Sequence, residues 1–332
     1  MAEIAFEILA GALEGLATRG TIVTPPTMVF PFSGTMQPME EEFIPDESRG
    51  TYHAEYRGEV VRRFSEWEGE GGADARVAPF VFAMWAKSVT APVTPSGGTT
   101  ARLWEYIDLG TSDTLRTATM YFKDPTDGKI FRAPFSYINE LTISADSGGT
   151  DGVMWSVSGS GQALGLVTVP AMPAQVIGSV LVPARKKVFL DVVGVTTIGV
   201  TPLNEVVSTE TTMANNISPK FFDNDDLTYT KIGRGKRFMK STFVMEYNET
   251  VYNLTQNRPY AQVASRIRYE GDIIEAALKE YIELDVYGRL KFEGWETNFD
   301  TNRGMKLSVT SRVNAALGTG WRLAVQNNRT AI

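Results

Sequence analysis

Apolar and polar positions alternate with a period of two along most of the chain. Leu141, Ile143 and Ala145 alternate with Thr142 and Ser144, and Val153, Trp155 and Val157 alternate with Ser156 and Ser158. Each run predicts a strand with one apolar face and one face of small polar residues. Between them, Gly148, Gly149 and Gly152 read as turn residues, a type that permits positive φ. Asp146 and Asp151 flank that turn and are expected to stay solvated. The turn lacks the lysine and the following helix that a phosphate cradle needs, so it reads as a plain hairpin.

The same period runs through "TYHAEYRGEVVRRFSEWEGEG". It places Glu66, Glu68 and Glu70 on one face and Trp67 on the other. The next segment, "DARVAPFVFAMWAK", reads as a short buried helix with Pro79 in its first turn. Residues 88–102 are a loop by composition, and a hairpin turning at Asp124–Gly128 follows. A second β region opens with "KKVFLDVVGVTT", continues through a long connection at 201–226, and returns with "RFMKSTFVMEYNE". Downstream the pattern predicts strand, helix, hairpin. Asp272 and Glu275 fit a capping box, Ile274, Ala277, Leu278 and Tyr281 a buried helical stripe, and Tyr287–Gly288 a tight turn. "GMKLSVTSRVN" is the last clear strand.

Residues 1–50 break this rhythm. They hold Pro25, Pro26, Pro31, Pro38 and Pro45 and the acid run Glu40, Glu41, Glu42, and read as an extended arm. Residues 3–18 can form a helix, which Gly11 and Gly15 weaken. The expected organisation is an arm at 1–50, a first β domain at 51–165, a proline-rich linker at 166–185 and a second β domain at 186–332.

Composition narrows the function. The 332 residues are 43% hydrophobic, enough for sizeable cores. There is no cysteine, which excludes disulfide frameworks and thiolate chemistry. The net charge of −7 argues against strong nonspecific grip on nucleic acid. No apolar run approaches a membrane span, and the acidic start does not resemble a secretion signal. The one histidine, His53, has no nucleophile-elbow partner and reads as a strand residue. Same-face glutamates on a strand point in parallel, so Glu66, Glu68 and Glu70 read as a solvated acidic face, not a converging site. "DNDD" at 223–226 lacks the rest of a calcium loop. The basic cluster Lys231, Arg234, Lys236 and Arg237 can meet phosphate or an acidic neighbour such as Glu40–Glu42; the second is favoured. No catalytic constellation, cofactor site or metal site emerges, and an enzyme is not expected.

In combination the segments resemble the tail tube proteins (major tail proteins) of long-tailed bacteriophages. The resemblance rests on "GLATRGTIVTPPTMVFPFSGTMQPMEEEFIPDESRGTY", "EGEGGADARVAPFVFAMW", "FSYINELTISADSGGTDGVMWSVSGSGQA", "RIRYEGDIIEAALKEYIELDVYGRLKFEG" and "GMKLSVTSRVN". It implies a mainly β chain of two tandem tail-tube-type β-sandwich domains, each with a short helix. It further implies rings stacked into a tube that conducts DNA without specific binding: six-subunit rings for single-domain members, and, for a chain of two such domains as the two β halves suggest, rings of three subunits with pseudo-six-fold symmetry. The partners would be the chain itself and other tail proteins: tape measure, distal tail and tail terminator proteins. The location would be the virion tail, after assembly in the host cytoplasm. Glu66, Glu68 and Glu70 would then face the lumen or a ring interface, and the arm and long loops would cross to neighbours. The alternative is a secreted or surface carbohydrate-binding β protein.

Overall fold

A computed structural model of the chain describes residues 4–6, 8–43, 59–86, 91–107, 115–168, 172–175, 178–192, 198–222, 227–256, 262–296, 303–313 and 318–332. His53, Pro45, the Ser48–Gly50 turn and the 223–226 run lie outside these residues.

The chain is mainly β, with antiparallel pairing throughout the described strands. The first part contains β1 (Ile4–Phe6), β2 (Ile8–Leu13), β3 (Met28–Phe30), β4 (Ser33–Phe43) and β5 (Glu59–Gly72). Helix α1 (Ala78–Trp85) follows, then β6 (Arg102–Ile107), β7 (Ala118–Lys123), β8 (Ile130–Asp146), β9 (Met154–Gln162) and β10 (Gly165–Val167). The second part contains β11 (Lys186–Val192), β12 (Val206–Ala214), β13 (Ile217–Lys220), β14 (Lys231–Arg234) and β15 (Phe238–Glu246). Helix α2 (Glu249–Gln256) follows, then β16 (Gln262–Glu275), β17 (Leu278–Glu296), β18 (Gly304–Ser311) and β19 (Trp321–Asn327).

The two parts repeat one wiring scheme. In the first, β4 pairs β5, β5 pairs β9, and β9 pairs the C-terminal half of β8. In the second, β12 pairs β15, β15 pairs β18, and β18 pairs the C-terminal half of β17. The N-terminal half of β8 pairs β7 and β10, and β7 pairs β2. The N-terminal half of β17 likewise pairs β16 and β19, and β16 pairs β11. The helices fall at the same place, after β5 and after β15. Strand β3 lines β2, and a bridge at Pro202 lines β11 in the same way. Even a bulge recurs, between Ile138 and Glu140 in β8 and between Phe292 and Gly294 in β17.

The long strands β8 and β17 each serve two ladders. β8 changes ladder at Phe135–Ser136, and Phe135 has the positive φ of 52° that lets the strand turn there. Side chains between the ladders form the core: Trp67 of β5 meets Phe122 of β7 with ring centroids 6.4 Å apart, and Phe30 of β3 meets Phe80 of α1 at 5.0 Å.

Several sequence expectations change. The helical option for residues 3–18 gives way to β1 and β2, because Gly11 lies where a Cβ would press on Met120 Sδ at 2.9 Å and on the Phe30 and Phe80 rings at 3.1 Å. The helix expected over 272–281 is instead the end of β16, a tight turn with Ala276 at φ 47°, and the start of β17. Both capping residues have long-range partners: Glu275 binds residues 99–101, and Asp272 pairs Arg185 at 3.0 Å. Tyr287–Gly288 lies inside β17, not in a turn, and Gly288 is held against the Thr310 carbonyl. The buried helix at Pro79 is present as α1, every residue of it buried. The second helix is α2, where Asn248 Oδ1 accepts the N–H of Val251 at 3.2 Å. From residue 28 to 43 the proline-rich arm is not free: β3 and β4 belong to ladders within the chain.

Candidate functional site: a polar sheet face with open edges

The two repeats join edge to edge. β8 pairs β12 over seven residues, from Asp146↔Ser208 to Glu140↔Ala214. One ladder therefore runs β4-β5-β9-β8-β12-β15-β18-β17 without a break.

Alternation gives this ladder two unlike faces. Toward the core point Trp67, Trp155, Val157, Leu141, Ile143, Met213, Phe243, Met245, Leu307 and Val309, all buried. The opposite face carries Ser33, Thr35 and Gln37 on β4; Glu66, Glu68 and Glu70 on β5; Ser156 and Ser158 on β9; Glu140, Thr142 and Ser144 on β8. It continues with Ser208, Glu210 and Thr212 on β12, Lys240 and Thr242 on β15, and Lys306 and Thr310 on β18. The three β5 glutamates are exposed while Ser65, Trp67 and Gly69, which alternate with them, are buried, as the period of two requires. Recesses on this face are lined by Thr35, Glu68, Glu70, Glu140, Ser156 and Ser158, and by Gln37, Glu66, Asn139 and Ser160.

Charge is not uniform across it. The first repeat contributes Glu66, Glu68, Glu70 and Glu140. The second mixes signs: Glu293 bridges Lys240 at 3.3 Å and Lys291 at 2.7 Å, and Lys306 is exposed. Lys291 and Ser308 hold the Glu293 carboxyl at about 2. The face is acidic on one half and mixed on the other, a division the glutamate pattern alone did not reveal.

The 147–153 turn closes the β8–β9 hairpin, as the alternation predicts. None of Gly148, Gly149 and Gly152 uses the positive φ that glycine permits. Asp146 shapes the turn instead, its Oδ1 accepting the Gly148 N–H at 2.9 Å. Asp146 and Asp151 are both exposed.

Among the described residues the arm acids pair within their own hairpin. Glu41 pairs Arg62 at 2.8 Å and Glu40 pairs Arg63 at 3.2 Å, while Glu42 is exposed. The basic cluster is dispersed. Lys231 lies over the Phe222 ring at 5.5 Å, Lys236 is exposed, and Arg237 sits 5.9 Å from Trp85 and 5.8 Å from Trp321. Arg234 contributes its backbone to β14, opposite Ile217.

The described part of the 215–237 connection around Tyr229 packs on the first repeat. Tyr229 is fully buried against Phe135 and Tyr137, donates to the Phe135 carbonyl at 2.9 Å, and its own carbonyl accepts from Gln162 at 2.7 Å. The 91–101 loop is also tied down, by Glu275. Its carboxylate accepts the N–H groups of Thr99, Thr100 and Ala101 and the Thr99 hydroxyl at 2.7–2.9 Å. These bonds, Ala101 first, hold the Glu275 carboxyl at about 2. No sequence signal links residue 275 to residues 99–101.

Both ends of the ladder are open among the described residues. β4 has β5 on one side and, beyond Met36, no strand on the other. From Leu290 to Glu296, β17 has only β18. No family model and no curated protein matches this chain. Among the described residues no group of three or more His, Asp or Glu side chains is placed to hold a metal ion. No helix there is long and apolar enough to cross a membrane.

Proposed function

We propose that this chain is a structural subunit that polymerises through its sheet edges, the tail tube protein of a long-tailed bacteriophage. The observation that carries the reading is the β8·β12 junction. One repeat already joins the next, edge to edge, with a polar face on one side and a core on the other. The same join between β17 of one copy and β4 of the next closes a ring and leaves no open edge. A head-to-tail contact of this kind makes a ring when its rotation closes. Three copies of a two-repeat chain give pseudo-six-fold symmetry.

In this reading each repeat is one β-sandwich domain with its own helix, and the polar face lines the lumen. The glutamates of β5 and β8 repel phosphates, so DNA slides instead of sticking. The long connections reach to neighbouring subunits or rings, in the way that Tyr229 packs on the first repeat. Tape measure, distal tail and tail terminator proteins are the other partners, and the virion tail, assembled in the host cytoplasm, is the location. The role is structural, without catalysis or cofactor. Electron microscopy of concentrated protein tests it: stacked rings with three-fold end views support it, and a monomer at all concentrations sinks it.

One observation favours a carbohydrate-binding protein. Tyr247, Tyr252, Phe292 and Trp295 cluster at the surface, with Trp295 43% exposed. These rings pack on one another at centroid distances of 4.9–5.9 Å, with Arg303 over Trp295 at 5.1 Å. Sugar affinity in a protein that stays monomeric would favour that reading.

A further inference from the structure

The two repeats correspond residue for residue across the ladder. Their shared bulge makes Glu140 of β8 and Gly294 of β17 equivalent. Glu140 faces Ser158, Ser158 faces Glu68, and Glu68 faces Thr35. In the same steps Gly294 faces Lys306, Lys306 faces Val244, and Val244 faces Ser208. Thr35 of β4 therefore corresponds to Ser208 of β12, and Met39, Glu40 and Glu41 correspond to Thr212, Met213 and Ala214. Within the chain those three β12 residues pair Thr142, Leu141 and Glu140. Carried to the open edges, the same register sets Met39, Glu40 and Glu41 of one copy against Glu296, Trp295 and Gly294 of the next.

We propose that this register forms the seam between copies and that charge selects it, Lys306 and Arg303 of one copy receiving Glu41 and Glu40 of the next. The inference rests on the tube reading and names the residues that make its joint. Among the described residues neither stretch has a strand on its outer side. β1 lies clear of the seam, on Gly34–Met36.

The two seams differ in chemistry. Inside the chain Leu141 and Met213 meet as buried apolar side chains, and Glu140 meets Ala214. Between copies the equivalent pairs are Trp295 with Glu40 and Gly294 with Glu41. Gly294 puts no side chain on the polar face, and a Cβ there would meet no atom within 4 Å. The exposed Lys306 lies beside it on β18, two strand spacings, roughly 10 Å, from Glu41 of the incoming strand. Its stem can cross the glycine and reach that carboxylate, which pairs Arg62 at 2.8 Å in its own hairpin. On the other face Arg303 stands over the Trp295 ring at 5.1 Å, next to where Glu40 arrives. Two β4 edges cannot join instead, because Glu40, Glu41 and Glu42 would then meet the same acids. A charge-matched seam of this kind also steers copies toward each other before contact.

The chain has no cysteine, so an engineered disulfide reads the register directly. Residues directly opposite lie about 5 Å apart, within disulfide reach, and a four-residue slip adds about 13 Å. Glu41→Cys/Gly294→Cys is compared with Gln37→Cys/Gly294→Cys after assembly and oxidation, on a non-reducing gel, with melting temperatures as fold controls. The expected result is a band series ending at three chains for the first pair and single chains for the second. Lys306→Glu should slow assembly, followed by light scattering, at least about tenfold, and Glu41→Lys in the same chain should restore most of the rate. Tubes of the first variant without cross-links, or equal cross-linking in both, overturn the register and leave the tube reading standing. Lys306→Glu protein that assembles at the wild-type rate, or that Glu41→Lys does not rescue, overturns the charge selection whether or not the cysteine variants assemble. Wild-type protein that never polymerises overturns the tube reading as well.

Discussion

Thr142 of β8 and Thr212 of β12 face each other across the seam between the repeats, their hydroxyl oxygens 3.3 Å apart. Behind them, on the core face, Leu141 and Ile143 of β8 and Met213 of β12 are fully buried. The seam is thus a complete piece of sheet, hydrogen-bonded in the ladder, polar on one side and packed on the other.

Truncating the core side of that seam should therefore be felt by both repeats. Ile143→Ala removes buried methyl groups and is expected to cost ~2–4 kcal/mol. Urea unfolding followed by tryptophan fluorescence should show one transition moved to lower denaturant. A loss confined to the first of two separated transitions would mean that the seam does not couple them.

The glutamates of β5 predict the opposite. Glu66, Glu68 and Glu70 are exposed and their removal opens no cavity. Changing all three to Gln should alter stability by less than about 0.5 kcal/mol per site. Changing them to Lys should leave assembly intact but make tubes retain DNA at low salt and release it at high salt. Co-sedimentation of tubes with double-stranded DNA over a salt series reads this out.

A strap at 178–182 is gripped from both repeats. Asp74 accepts the Gly178 N–H at 2.7 Å, and Glu280 accepts the Ser179 N–H at 2.9 Å and hydroxyl at 2.6 Å while pairing Arg76 at 2.7 Å. Burial raises the Asp74 carboxyl above its usual value, against the pull of the Gly178 and Arg76 N–H groups. Glu280→Ala should cost roughly 2 kcal/mol and speed hydrogen exchange at Gly178 and Ser179. Unchanged exchange there would rule out Glu280 as the clamp.

Acid should loosen the chain at two named carboxylates. Glu275 and Glu293 are both lowered from 4.5 to about 2 by the bonds they accept in the fold. A depressed carboxyl stabilises the fold above its unfolded value and loses that contribution as protons bind. Stability should fall as pH drops from about 4.5 toward 2. Glu275→Gln should flatten that slope and free the 99–101 amides to exchange at neutral pH.

Much of the polar face was readable from alternation alone, because a strand's neighbours on one face are two residues apart in sequence. Glu66, Glu68, Glu70 and the 138–161 hairpin follow from that rule, and α1 follows from Pro79 and its apolar run. The error at 272–281 has a different origin. Asp272 and Glu275 look like helix caps locally, but their partners, Arg185 and residues 99–101, lie far away in sequence. Helix α2 has no comparable apolar run to announce it, although Asn248 and Glu249 offer a cap and an acidic first turn. The mixed charge of the second repeat's face was hidden because Lys240, Lys291 and Glu293 come together only when β15, β17 and β18 pair.

The most direct test of the central claim is an end-on electron-microscopy average of the assembled protein. The account predicts closed rings of three chains, each contributing two similar lobes around a hollow centre. Assemblies with no central channel, or protein that stays monomeric at every concentration, would contradict it.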